Sequence, residues 1–183
     1  MVNRGARSAK RHRNVRFGSE ADIVGAGSDI RFTPQERTWI SRVCRVLTPG
    51  GHYLFSLWDS HRHNPFGRIA HEIAGSFFPN DPPQFYNVPF SYYQIDPIKE
   101  SLINAGFTDI NIAVVRLEKQ IPDAARFARG LVHGNPLIDQ IKVRGGVDPD
   151  RIVDAIAGAL NQEFGSNQGR MPLQAVVFSA IKR

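Results

Sequence analysis

Asp59, His61 and His63 stand close together, and an H-x-H with a nearby carboxylate is a pattern that could ligate a divalent metal. No third convergent histidine can be picked out of the sequence. A solvated loop is therefore expected there, and no metal is assigned. His71-Glu72 opens like the helix of a zinc protease, but the position of the second histidine is Gly75, so that motif fails. A G-x-S-x-G nucleophile turn and a P-loop are both absent. His133 stands alone near a helix end and reads as a surface or capping residue rather than a base. Cys44, the single cysteine, cannot close an internal disulfide and falls beside Ile40 and Leu47 on one helix face, the setting of a buried structural thiol. No complete catalytic apparatus is visible.

Composition narrows the classes that remain. With 183 residues and 42% hydrophobic content the chain suits one domain with its own core. No apolar run approaches the roughly 20 residues needed to cross a bilayer, and the basic N-terminus lacks the apolar segment of a secretory signal. A cytoplasmic location is expected. The net charge of +6 is confined to one end: Arg4, Arg7, Lys10, Arg11, Arg13 and Arg16 precede any acid, leaving 17 basic residues against 17 acids. A formally neutral body argues against a specific nucleic-acid face. Residues 1–29 are expected to form a disordered basic leader, able to touch phosphates only nonspecifically.

The elements that must position any site begin at Thr33-Pro34-Gln35-Glu36, where Thr33 can cap, Glu36 can complete a capping box and Pro34 suits the first helical position. Trp39, Ile40, Val43, Val46 and Leu47 then recur at helical spacing until Pro49-Gly50-Gly51 stops the helix. His52 to Trp58 follows as a strand. It scarcely alternates, which predicts a parallel strand covered by helices on both faces. Ser60 to Gln94 is polar and proline-rich, broken by a helix from about Phe66 to Phe78 with Ile69, Ile73 and Phe77 on one side. Insertions at the carboxyl end of a strand are where α/β proteins build ligand sites. Asp96-Pro97 repeats the cap-then-proline start for a helix that runs to Ala105-Gly106-Phe107. Strands are expected over Asp109 to Leu117 and Gln174 to Ala180. Between them lie helices at Ala124 to Val132, Pro136 to Lys142, and from Asp148-Pro149 onward with Ile152, Val153, Ile156 and Leu160 on a single face.

Arg45-Val46-Leu47, Pro49-Gly50-Gly51, Trp58 and Ala105-Gly106-Phe107, in that order and spacing, resemble the later half of class I S-adenosylmethionine-dependent methyltransferases. The resemblance covers about Phe32 to Ala180, and the helical block at about 121–165 looks like a cap of the small-molecule, type 11-like group. It implies an α/β fold: a partial Rossmann-like methyltransferase sheet with later strands only, spanning 30–183, and a helical insertion before the last strand. The implied cofactor is S-adenosylmethionine and the implied partner a small organic acceptor. In this family a glycine-rich turn and an acidic strand end hold the cofactor, and neither motif is present. Val24-Gly25-Ala26-Gly27-Ser28-Asp29 has no adequate helix after it. Asp22-Ile23-Val24 fits better as a remnant of the family's fourth strand. A truncated, inactive methyltransferase-like chain is the expectation, with a noncatalytic binding module as the alternative.

The same resemblance places the loop after the Pro-Gly-Gly strand on the acceptor side. Trp58, Asp59, His61 and Asn64 are accordingly its substrate-side candidates. Phe85, Tyr86, Phe90, Tyr92 and Tyr93 could form an aromatic lid above them or pack the insertion onto the sheet. Loss of strand neighbours would expose an edge of His52 to Trp58, so self-association is also expected.

Overall fold

The computed structural model describes residues 34–166 and 169–183. The basic leader, Asp22-Ile23-Val24, Gly25-Ala26-Gly27 and the capping box that Thr33 anchors lie outside the described residues. Helix α1 (Pro34–Val46) leads to strand β1 (His52–Trp58), then come α2 (Pro65–Ser76), a 3-10 turn (Phe85–Asn87) and α3 (Ile95–Asn104). Strand β2 (Phe107–Ile121), helices α4 (Ala124–His133), α5 (Leu137–Arg144) and α6 (Pro149–Phe164), and strand β3 (Gly169–Lys182) complete the order.

The fold is mixed α/β, but its sheet corrects the expectation of a parallel β1. Among the described residues three strands lie in the order β1-β3-β2, and both pairings are antiparallel. Nor is β1 covered on both faces. Its burial alternates: Tyr53, Phe55 and Leu57 are half-buried, whereas His52, Leu54, Ser56 and Trp58 are exposed. Apolar residues on both sides of the strand suggested two covered faces. The described helices cover only one.

That covered face carries a core of Phe178, Val176 and Ala180 from β3, Phe107 from β2, Ile40 and Cys44 from α1, and Ile98 and Leu102 from α3. Cys44 is thus a buried thiol, as its helical neighbours implied. Trp39 and Val46, read as part of the apolar face of α1, are instead 57% and 56% exposed. The Pro49-Gly50-Gly51 turn is tied to the far end of the sheet. Gly50 adopts φ 76°, its N–H reaches the Lys182 carbonyl at 2.8 Å, and the Lys182 N–H returns to the Gly51 carbonyl at 2.8 Å. Glycine is the residue that takes this φ without strain. Gly106, at φ 95°, likewise ends the α3 turn before β2.

Two boundaries differ from the sequence expectation. Helix α3 starts at Ile95 with Gln94 at the cap position, so Asp96 sits inside the first turn instead of capping it. Strand β2 runs to Ile121 because Leu117 to Ile121 pair with Leu173 to Gly169, although Glu118-Lys119-Gln120 carries no apolar alternation. The paired β2 and β3 reach a second core. There Met171 and Ile121 pack among Ile69, Ala70, Tyr86, Leu131, Val132, Ile152, Ile156 and Leu160 of α2, the 3-10 turn, α4 and α6. Asp148 caps α6 as expected, accepting from the Asp150 N–H at 3.0 Å.

Candidate functional site

The carboxyl end of β1 meets the central strand through the side chains of Asn64 and Asp59. Asn64 is fully buried, with no exposed surface. Its Nδ2 donates to the Asp59 carbonyl at 2.8 Å and the Gln174 carbonyl at 2.9 Å, while its Oδ1 accepts from the Gln174 N–H at 3.0 Å. The carboxamide therefore stands between β1 and β3 as a peptide group would, satisfying backbone groups where the ladder ends. The Asn64 carbonyl also accepts from the Gly67 N–H at 3.1 Å, so the same residue starts α2.

Asp59 is fixed beside it. Its Oδ1 accepts from the Ser60 N–H and its Oδ2 from Gln174 Nε2, each at 2.6 Å. Gln174 Oε1 accepts from Arg116 Nε at 3.0 Å, which completes a chain of bonds from β2 across β3 to the end of β1. Gln174 and Arg116 were not singled out in the sequence. A lone Gln inside an apolar strand was the available signal, because a buried polar side chain requires partners.

Trp58 projects on the opposite side of the strand end, 38% exposed, with its ring 5.6 Å edge-on from Phe66 and 6.1 Å from Phe90. His61 lies against Phe90 at 4.7 Å and stacks with His71 of α2 at 5.8 Å. Its Nε2 donates to the Tyr86 carbonyl at 2.9 Å. Burial holds the His61 ring below the usual histidine range, opposed by that carbonyl, and burial does the same to His71. A Cβ at Gly67 would come within 2.3 Å of the Phe90 ring, so α2 approaches Phe90 only because residue 67 is glycine.

Trp58, Asp59, His61 and Asn64 thus cluster around the start of α2, but their side chains face different ways. Asn64 and Asp59 are engaged with backbone and Gln174, His61 turns under Tyr86, and Trp58 faces solvent in part. The five aromatic residues divide as well. Tyr86 and Phe90 are buried in the helical core with Phe85 packed against it, Tyr92 packs against the sheet core, and Tyr93 is exposed. The Tyr86 hydroxyl donates to the Leu131 carbonyl at 2.8 Å and accepts from Asn135 Nδ2 at 2.9 Å; burial pushes its pKa up to about 12.

No group of three or more His, Cys, Asp or Glu side chains among the described residues could hold a metal ion. Elsewhere, His133 Nε2 and Asp150 lie 3.1 Å apart on the surface, with Arg129 at 3.3 Å from the same carboxylate. This places His133 in an exposed charge cluster between α4 and α6. Nor do the described residues fit S-adenosylmethionine. The carboxylate at the end of β1 is Asp59, whose two oxygens each accept a bond from this chain, from Ser60 and Gln174, and no glycine turn follows β1 to admit the amino-acid portion.

Comparison with protein families and with curated proteins finds no match to this chain. Among solved structures, the chain is similar to phosphoethanolamine N-methyltransferase 2 from Haemonchus contortus, solved with phosphomonomethylethanolamine and S-adenosylhomocysteine, at 19% identity and a TM-score of 0.35. A second structure of that protein, with S-adenosyl-L-methionine, matches at 16% identity and the same TM-score of 0.35. Each match covers 84% of this chain and 30% of the other, so the chain spans under a third of the length of these neighbours.

Proposed function

We propose that this chain carries the acceptor side of a class I methyltransferase-like unit, of the small-molecule, type 11-like kind, and that on its own it does not hold the cofactor. The observation that carries the reading is β1. Its sequence HYLFSLW has no charge, proline or bulge, yet one edge has no strand partner among the described residues, and Leu54 beside it is 69% exposed. A strand of this composition is built for the interior of a sheet. Another chain would complete a partial Rossmann-like sheet there and supply the glycine turn and acidic strand end that this sequence lacks.

In such a unit the transferred methyl comes from S-adenosylmethionine and the acceptor is a small organic molecule. The contribution of this chain is placement. Trp58 and His61 would line the acceptor side and exclude water, while Asp59 and Asn64 hold the strand end and the start of α2 in register. Left uncovered, the β1 edge pairs with a second copy, so the isolated chain self-associates. A cytoplasmic location and no specific nucleic-acid partner go with this reading. No helix among the described residues is long and apolar enough to cross a membrane.

A second reading is a noncatalytic binding module that keeps the acceptor side alone. It is favoured by the engagement of Asp59 and Asn64 in structural bonds, with Asn64 fully buried and so closed to a substrate. Calorimetry with S-adenosylhomocysteine, first on the chain alone and then with an added methyltransferase N-terminal half, separates the two. The first reading predicts no affinity tighter than about 1 mM alone, equivalent to ~4 kcal/mol, and restored binding with the added half. Absence of binding in both arms favours the second. Micromolar affinity of the chain alone overturns the first.

A further inference from the structure

We propose that His61 and His71 form a pH-sensitive latch, which when neutral holds the loop after β1 and the 3-10 turn against α2 and on taking up protons releases them. The arrangement requires uncharged rings. Because the Tyr86 carbonyl can only accept, His61 Nε2 carries the hydrogen and donates it over 2.9 Å, leaving the lone pair on Nδ1. His71 stacks on this ring at 5.8 Å with 28° between the planes. Its Nδ1 is buried and has no hydrogen-bond partner. An unprotonated nitrogen there costs less than an imidazolium N–H, which would bury a charge and a donor without an acceptor. Phe90 closes the other side of His61 at 4.7 Å and offers no acceptor either.

The surrounding charges do not rescue a protonated pair. Glu72, the acid that acts on both rings, is exposed and bonded to Arg68 at 3.0 Å. Arg68 is itself bonded to Glu163 of α6 at 2.8 Å and adds repulsion toward His61. From the 3-10 turn the group that meets His61 is the Tyr86 carbonyl, while the Tyr86 hydroxyl is engaged with Leu131 and Asn135. A second positive ring at 5.8 Å would repel the first. Both rings accordingly sit below the ordinary histidine range in the closed form, while released rings titrate near 6.5. The closed form is fully favoured above that pH. As pH falls below about 6.5 the open form takes up protons that the closed form refuses, shifting the balance by up to about tenfold per proton for each pH unit.

The test uses the full chain. Ring nitrogen NMR follows both histidines, and hydrogen exchange, corrected for intrinsic rates, follows the amides of Asn87 and Val88, which bond to the Gln84 and Phe85 carbonyls. Both rings should titrate below 6.5. Protection at Asn87 and Val88 should fall by about fivefold to thirtyfold between pH 6.5 and 5.5, with the α6 amides of Ile156 and Leu160 unchanged. His71→Phe keeps a stacked ring without a titrating nitrogen, and His61→Gln keeps a donor toward Tyr86; each should remove up to about fivefold of that dependence. A ring titrating at or above 6.5 overturns the latch, as does the wild-type pH dependence persisting in both variants. Should either variant fail to fold, the wild-type ring titration decides.

Discussion

The two outer strands of the sheet are built differently. Strand β2 carries Asp109, Arg116, Glu118 and Lys119, and its register shifts between Thr108 and Asn111, where Asp109 adopts φ 49°. Charges and a bulge are the devices by which edge strands resist pairing with other chains. Strand β1 has neither device. The ladder phase shows what it leaves open: the Asp59 N–H bonds to the Gln174 carbonyl and the Lys182 N–H to the Gly51 carbonyl, so odd-numbered residues of β1 face β3. The amides of His52, Leu54, Ser56 and Trp58 therefore point to the edge that has no strand partner among the described residues. One edge is finished and the other is made like the middle of a sheet, which is why β1 carries the functional reading.

Substitutions can break this comparison or sharpen it. The largest effect is expected at Phe178, fully buried on β3 with its ring stacked 5.0 Å from Phe55 of β1. Phe178→Ala should cost about 3–5 kcal/mol in denaturant unfolding, because it opens a cavity at the centre of the sheet core. Asn64→Ala should cost about 1–3 kcal/mol, since it strands the Gln174 N–H and the Asp59 carbonyl together. The diagnostic sign is early hydrogen exchange at the Trp58 end of β1. Gly67→Ala should cost a similar 1–3 kcal/mol through its collision with the Phe90 ring, and should alter Trp58 fluorescence because Phe90 moves. The smallest stability effect is expected at Leu54→Lys, within about 0.5 kcal/mol because the side chain is 69% exposed. The same change should raise the concentration for self-association at least tenfold in light scattering. Val115→Lys on the finished edge should leave association unchanged.

Local chemistry was the legible part of the fold. The Asp148-Pro149 start of α6, its buried face of Ile152, Val153, Ile156 and Leu160, and the glycine ends at Gly50 and Gly106 follow from capping, periodicity and φ. Long-range pairing was not legible. Nothing between His52 and Trp58 reveals that the partner strand lies more than a hundred residues later and runs antiparallel. Nor does the sequence around Asn64 indicate a buried clamp, because its partner Gln174 is 110 residues away. An Asn before a proline reads as an ordinary turn residue. Likewise the aromatic run from Phe85 to Tyr93 looked like one surface, and the chain divides it between two cores and solvent.

The claim that β1 is an interior strand with an open edge is tested most directly by residue-resolved hydrogen exchange on the chain at a concentration where it is monomeric. The account predicts alternation along the strand: the amides of Tyr53, Phe55 and Leu57 protected through β3, and those of Leu54 and Ser56 exchanging close to the intrinsic rate. Uniform protection from Tyr53 to Leu57 in a monomer would mean that the edge is already covered within this chain, and would contradict the account.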